Sequence, residues 1–283
     1  MATILNDVPY FLAQELQQLG ALPDCKLPYA KTALALSATI DCARPLAAFE
    51  NHLLQLHDTA RLSMADTRPQ TVAEQITMLQ QVVVDEFGYK PDLVGFDDVG
   101  NIDFCRVIER RRGIPVALGL LYLDLAKALG WHWVGLNFPA HFLLRAEVNG
   151  QQLIFDPYHN DVLPDAASLR RLLKKVVGDE AELSHNYYQP VSAREVILRF
   201  ANNRKMRLIK AENYEEALAW VQVLAWVAPH DRRLCYDQGI IAGKLGYLQM
   251  AIDALLQFSQ DNPNAREVME AKELIAALRH TLN

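Results

Sequence analysis

Apolar residues recur at helical spacing through most of the first 112 residues, with polar turns between the runs. Thr71-Val72-Ala73-Glu74 reads as a capping box, a threonine and a glutamate spaced to satisfy two orphan amides. Ile76, Leu79, Val83 and Phe87 then mark one helix face, and Gly88 closes it. Phe104, Val107 and Ile108 predict a short helix ended by Gly113. From Pro115 to Leu129 the chain is apolar on nearly every side, which predicts a helix buried all round and central to its domain. Gly119 inside it predicts close approach by another element.

The period then changes to two. His132 to Phe138 reads as a strand. His141 to Val148, the turn Asn149-Gly150, and Gln151 to Tyr158 read as a β-hairpin. Helical spacing resumes at Ala167 to Val177, and Pro190 marks a boundary before a second capping box, Ser192 to Glu195.

Beyond that boundary the chain is helical and repeats itself. Ala217 and Ala251 are 34 residues apart, as are Tyr214 and Leu248, Val221 and Leu255, Leu224 and Phe258, and Pro229 and Pro263. This period, with small residues at the helix contact and proline at the repeat end, is the tetratricopeptide signature. Two repeats, roughly 198 to 231 and 232 to 265, precede a capping helix from Arg266 to Leu282. Glu212 stands where the first repeat would usually carry glycine. So short an array is expected to dock on the first domain, because each repeat buries its core only against neighbours. The expected division is 1–189 and 190–283.

Composition narrows the function classes. The 283 residues are 51% hydrophobic and 22% charged, ordinary values for a globular protein. The net charge of -6 argues against nucleic acid and anionic lipid, since no surplus of cations is there to replace counterions. Arg110, Arg111 and Arg112 read as a solvated helix end beside the C-terminal dipole. No apolar run is long enough for a bilayer, and MATILNDVPYF lacks an export pattern, so the expected location is the cytoplasm. The four cysteines share no metal or redox spacing and are expected as free thiols.

The hairpin carries the candidate chemistry. With Asn149 and Gly150 as the turn, opposed residues have numbers that sum to 299, so Leu143 faces Asp156 and His141 faces Tyr158. His141 and Asp156 become diagonal neighbours on one face, with Arg145 and Ile154 further along it. A carboxylate beside an imidazole orients a histidine base; equally, the two can simply satisfy each other in a half-buried pocket. Cys105 and Tyr158 are alternative nucleophile candidates, though free cysteine is most often a small buried hydrophobe and neutral tyrosine attacks poorly. His141, Asp156, His159 and Asp161 could supply metal ligands, but His159-Asn160-Asp161 also reads as an ordinary polar turn. No metal and no cofactor is assigned.

The runs "GNIDFCRVIERRRGIPVALGLLYLDLAKALG", "VGLNFPAHFLLR" and "IFDPY" resemble the transglutaminase-like superfamily, and more narrowly the bacterial SirB-type family. The resemblance covers residues 30 to 282. It implies an α+β fold: a transglutaminase-like (cysteine-protease-like) domain with a central helix and antiparallel sheet, then an all-α tetratricopeptide-repeat domain. The superfamily core runs Gly-x-Cys at a helix start, then His and Asp on adjacent strands. Carried over by position, Gly113 matches the glycine, and His141 and Asp156 match the His and Asp. Pro115 falls where the cysteine belongs, and neither it nor Ala117 offers a nucleophilic atom.

Two functions follow as expectations. The first is a non-catalytic, regulatory pseudoenzyme that binds a protein or peptide partner through its repeats. The second is an amide hydrolase or acyltransferase using His141, Asp156 and another nucleophile. Direct DNA binding fits an acidic chain poorly.

Overall fold

A computed structural model describes residues 8–93, 99–260 and 265–282. Pro263, and the N-terminal residues read for an export pattern up to Asp7, lie outside that set. The chain forms two compact units. One is Pro23–Phe200. The other joins the first helix, α1 (Tyr10–Ala21), to the residues from Ala201 onward. The division falls after Phe200, beyond the proline boundary, because the chain just past that boundary is held by the first unit: a Cβ on Gly135 would lie 2.9 Å from Val196.

The Pro23–Phe200 unit begins with α2 (Tyr29–Ala38), α3 (Ala47–Thr67) and α4 (Val72–Gln80). The capping box at Thr71 is present, with both reciprocal bonds to Glu74. Past Gln80 the helix widens over Gln81–Glu86 into turns in which the Phe87 amide reaches back to the Val82 carbonyl. Gly88 then closes it at φ 72.

A two-residue parallel bridge follows, β1 (Lys90–Pro91) with β2 (Arg112–Gly113). Between them lies α5 (Phe104–Arg110). It ends earlier than the expected Gly113: Arg111 takes the left-handed conformation, φ 52, and Gly113 is already in β2. Of the arginine run expected as a solvated helix end, only Arg112 is exposed. Arg110 bonds Asp92 at 3.2 Å and Asn101 at 2.9 Å, and the Arg111 guanidinium lies over the Tyr89 ring at 5.1 Å. Buried acceptors and an aromatic face claim both side chains.

Helix α6 (Pro115–Ala128) is buried over almost its whole length. Its Asp124 faces inward, where Oδ1 accepts the Ala30 amide at the start of α2 and Oδ2 bonds His57 Nε2 at 2.7 Å. A carboxylate at a helix N-terminus is favourably placed, and here it ties α2, α3 and α6 together.

The sheet contains β3 (His132–Leu136), β4 (Leu143–Val148), β5 (Gln151–Asp156), β6 (Asp161–Leu163) and β7 (Pro190–Val191). It is antiparallel throughout, in the order β6-β5-β4-β3-β7. Alternation gives it two buried faces. On one, Phe155 and Trp133 meet Tyr122 of α6, and Trp133 Nε1 donates to Gln75 of α4 at 3.0 Å. On the other, Leu143 packs with Leu169, Leu172 and Leu173 of α7 (Ala166–Val177).

Helix α8 (Ala193–Lys210) opens with the expected second capping box, in which Ser192 and Glu195 exchange bonds of 2.9 and 3.2 Å. The repeat unit continues with α9 (Tyr214–Val227), α10 (Arg232–Lys244), α11 (Leu248–Ser259) and α12 (Ala265–Leu282). Ala217 and Ala251, the 34-residue pair, are both fully buried. Gly239 sits where a Cβ would lie 2.6 Å from Leu255, so glycine lets α10 and α11 approach closely. α1 packs against α9: a Cβ on Gly20 would fall 1.9 Å from the Trp226 carbonyl oxygen.

Candidate active site with a proline at the helix start

Asn149 and Gly150 both take positive φ, 51 and 81, the backbone a tight two-residue hairpin needs. The pairs run from Val148 with Gln151 to Leu144 with Phe155, the register in which opposed numbers sum to 299. Asp156 ends β5, and His141 lies two residues before β4.

The two side chains meet. His141 Nε2 is 2.9 Å from Asp156 Oδ2, and both residues are buried. Asp156 Oδ1 accepts the backbone amides of Tyr158 at 2.9 Å and His159 at 3.2 Å. Those bonds curl the following turn back on itself and bring His159 Nδ1 to 2.6 Å from Asp156 Oδ2. Burial pushes the Asp156 carboxyl up. The hydrogen bond and charge of His141, with the bonds from His159, more than offset this and hold it below its ordinary range.

Tyr158 ties this corner to the start of α6. Its ring meets His141 edge-on, centroids 5.9 Å apart, and its hydroxyl donates to the Asp92 carbonyl at 2.9 Å. The Asp92 amide in turn donates to the carbonyl of Gly113, at 3.1 Å. One turn into α6, a Cβ on Gly119 would lie 2.5 Å from the Phe142 ring and 3.6 Å from Pro157. The beginning of the central helix therefore abuts the strand ends that carry His141 and Asp156.

Pro115 is the first residue of α6, after an extended Ile114. Proline suits that position, since its missing N–H would have had no helical partner. It has no atom able to attack a carbonyl.

The other candidates are placed as follows. Cys105 is fully buried in α5 near Arg44 and Asp103; burial pushes its thiol up to about 11, against the opposing pull of Arg44. Arg145 is half-buried on β4 between Val134 and Ile154, on the strand face that Leu143 also uses. Asp161 pairs with Asp156 across β5 and β6 and accepts its neighbour's amide, Val162, at 2.9 Å.

Of the possible ligands that the sequence offers, His159 joins Asp156 through the spacing i, i+3, while Asp161 does not join the cluster. Two contributors to this pocket are not legible in the sequence. Asp92 and Arg199 gave no local signal. Arg199 donates to the carbonyls of Phe138 and His141, and its guanidinium lies over the Phe142 ring at 5.5 Å, bracing the segment that presents His141.

Comparisons with known proteins agree with this architecture. Residues 47–202 match the model of the transglutaminase-like superfamily, and residues 205–276 match a tetratricopeptide repeat. A UPF0162 protein of Vibrio cholerae is 28% identical over 249 residues, covering 88% of this chain and 91% of the relative. One from Pasteurella multocida is 26% identical, covering 81% and 84%. One from Xylella fastidiosa is 24% identical, covering 69% and 70%. No solved structure matches. Bacterial relatives and the order of the two matches agree with the SirB-type resemblance. With the matched region containing Gly113, Pro115, His141 and Asp156, the chain belongs to the transglutaminase-like superfamily.

Proposed function

We propose that the protein is a non-catalytic member of its superfamily that acts in the cytoplasm as a regulatory protein, binding a protein or peptide partner through its repeats. The observation that carries this is Pro115 at the first position of α6, the position at which the resemblance to the superfamily implies a cysteine. Covalent acyl transfer needs an attacking atom there. His141 and Asp156 retain a base and its orienter, but removing one member of such a unit costs several orders of magnitude in rate. Helical repeats supply an interaction surface of the kind that takes peptides. Among the described residues no helix is long and apolar enough to cross a membrane.

The intact His141–Asp156 pair favours one second reading, an amide hydrolase or acyltransferase with its nucleophile elsewhere. One experiment separates the two. The full chain is incubated with a glutamine-donor peptide and an amine acceptor, and is separately used as bait with substitutions on the repeat helices. Partner capture that depends on the repeats, without amine incorporation, supports the first reading. Incorporation that His141→Ala abolishes supports the second.

A further inference from the structure

Two imidazole nitrogens converge on one carboxylate oxygen. Asp156 Oδ2 is 2.9 Å from His141 Nε2 and 2.6 Å from His159 Nδ1, and the three atoms all lie within 4.8 Å of one another. Asp156 Oδ1 is already committed to two backbone amides. The carboxylate is thus anchored by one oxygen and presents the other to two nitrogen donors. Two neutral imidazoles can both donate to Oδ2 only by carrying their protons on the inward nitrogens. In the opposite tautomers, the same three atoms present three lone pairs to a common point.

We propose that His141, Asp156 and His159 form a mononuclear site for a divalent transition metal of the zinc class, with a fourth position open to water or an incoming group. Two histidines and a carboxylate are a nitrogen and oxygen set that zinc accepts. Tetrahedral bonds of about 2.0–2.2 Å place ligand atoms roughly 3.3 Å apart; the two oxygen–nitrogen spacings, 2.9 and 2.6 Å, lie within about an ångström of that, and the two nitrogens lie within 4.8 Å of each other. The bonds from the Tyr158 and His159 amides to Oδ1 are the outer-shell support a ligating carboxylate requires. His141 and Asp156 are buried, whereas the His159 side chain is 38% exposed, which gives the ion an entry route. Lys175 Nζ, 3.5 Å from His159 Nε2, opposes a cation there. It sits on the exposed face of α7 and can turn to solvent.

This site does not depend on the partner-binding reading, since the three ligands belong to the Pro23–Phe200 unit alone. The test uses tag-free full-length protein stripped with a chelator. Cobalt(II) is titrated and followed by visible absorption, and zinc affinity is measured by competition with a chromophoric chelator. One equivalent with the strong bands of four-coordinate cobalt is expected, together with a zinc-dependent rise in Tm. His159→Ala, in an exposed turn, should keep the fold while weakening zinc binding by at least about 100-fold and removing the Tm shift. Asp161→Asn should change neither. Absence of stoichiometric binding, or binding that persists unchanged in His159→Ala, would overturn the site.

Discussion

Glu212 and Gly246 occupy the same backbone position one repeat apart. Both are left-handed, Glu212 at φ 56 and Gly246 at φ 75, and each precedes the second helix of its pair. The first repeat keeps the glycine conformation without the glycine. A left-handed L-residue costs about 1–2 kcal/mol, part of which glycine returns through its freer unfolded chain. Glu212→Gly should therefore stabilise the protein by about 0.5–1 kcal/mol, read as a raised urea midpoint. Gly246→Ala should move it the other way. An unchanged or lowered midpoint for Glu212→Gly would show that the turn carries no such strain.

Gly119 makes a second prediction, on the side of α6 that faces β4. Alanine there would gain about 1 kcal/mol of helix propensity, but its Cβ would sit 2.5 Å from the Phe142 ring. Overpacking costs about 1–3 kcal/mol, so Gly119→Ala should be destabilising despite its propensity. Adding Phe142→Leu should recover part of the loss. If the single substitution is neutral, α6 has room to withdraw from the strand.

Which features could be read from the chain follows from how local their causes are. The capping boxes at Thr71 and Ser192, the buried helix at Pro115 and the hairpin register all arise from residues a few positions apart. The Asn149-Gly150 turn and a period of two fix the register that brings Asp156 to the start of β4, whereas His141 lies two residues before that strand, on a segment that Arg199 braces. The end of α5 was misplaced because the left-handed residue is Arg111, chosen by Tyr89 and its surroundings, while the glycine expected there sits in β2. The packing of α1 on α9, and the Asp92 carbonyl beneath Tyr158, depend on contacts across long stretches of chain. No pattern within a window of the sequence encodes them.

The thiols offer a direct check on the missing nucleophile. Cys25 and Cys42 are exposed, Cys235 is half-buried, and Cys105 is enclosed with its thiol pushed up to about 11. Only a thiolate reacts readily. A thiol reagent at neutral pH should label Cys25 and Cys42 in the native protein and reach Cys105 only after denaturation, as mapped by mass spectrometry. Native labelling of Cys105 that disappears in His141→Ala would mean that the histidine activates it, and the enzyme reading would return.

His52 should set the pH dependence of stability above the carboxylate range. Its ring is buried beside Tyr89, whose hydroxyl is 2.8 Å from Nε2, and the Arg111 guanidinium faces both ring nitrogens, only one of which can accept from it in the neutral ring. Burial, then the Arg111 charge, lowers its pKa from 6.5 to about 4. The neutral ring is therefore the folded form, while the unfolded chain takes up a proton near 6.5. Below that pH the unfolded state binds more protons, so stability falls as pH drops and stops falling on this account near 4. The total is on the order of 3 kcal/mol. Asp156, with its lowered pKa, has the same sign but acts only below the unfolded carboxylate value of 3.8, so the two windows separate. His52→Gln keeps an acceptor for Arg111 and removes the titration. Urea midpoints measured at pH 7, 5.5 and 4.5 should decline steeply for the wild type and much less for the variant. Parallel declines would assign the slope to other groups and leave His52 a purely structural partner of Tyr89.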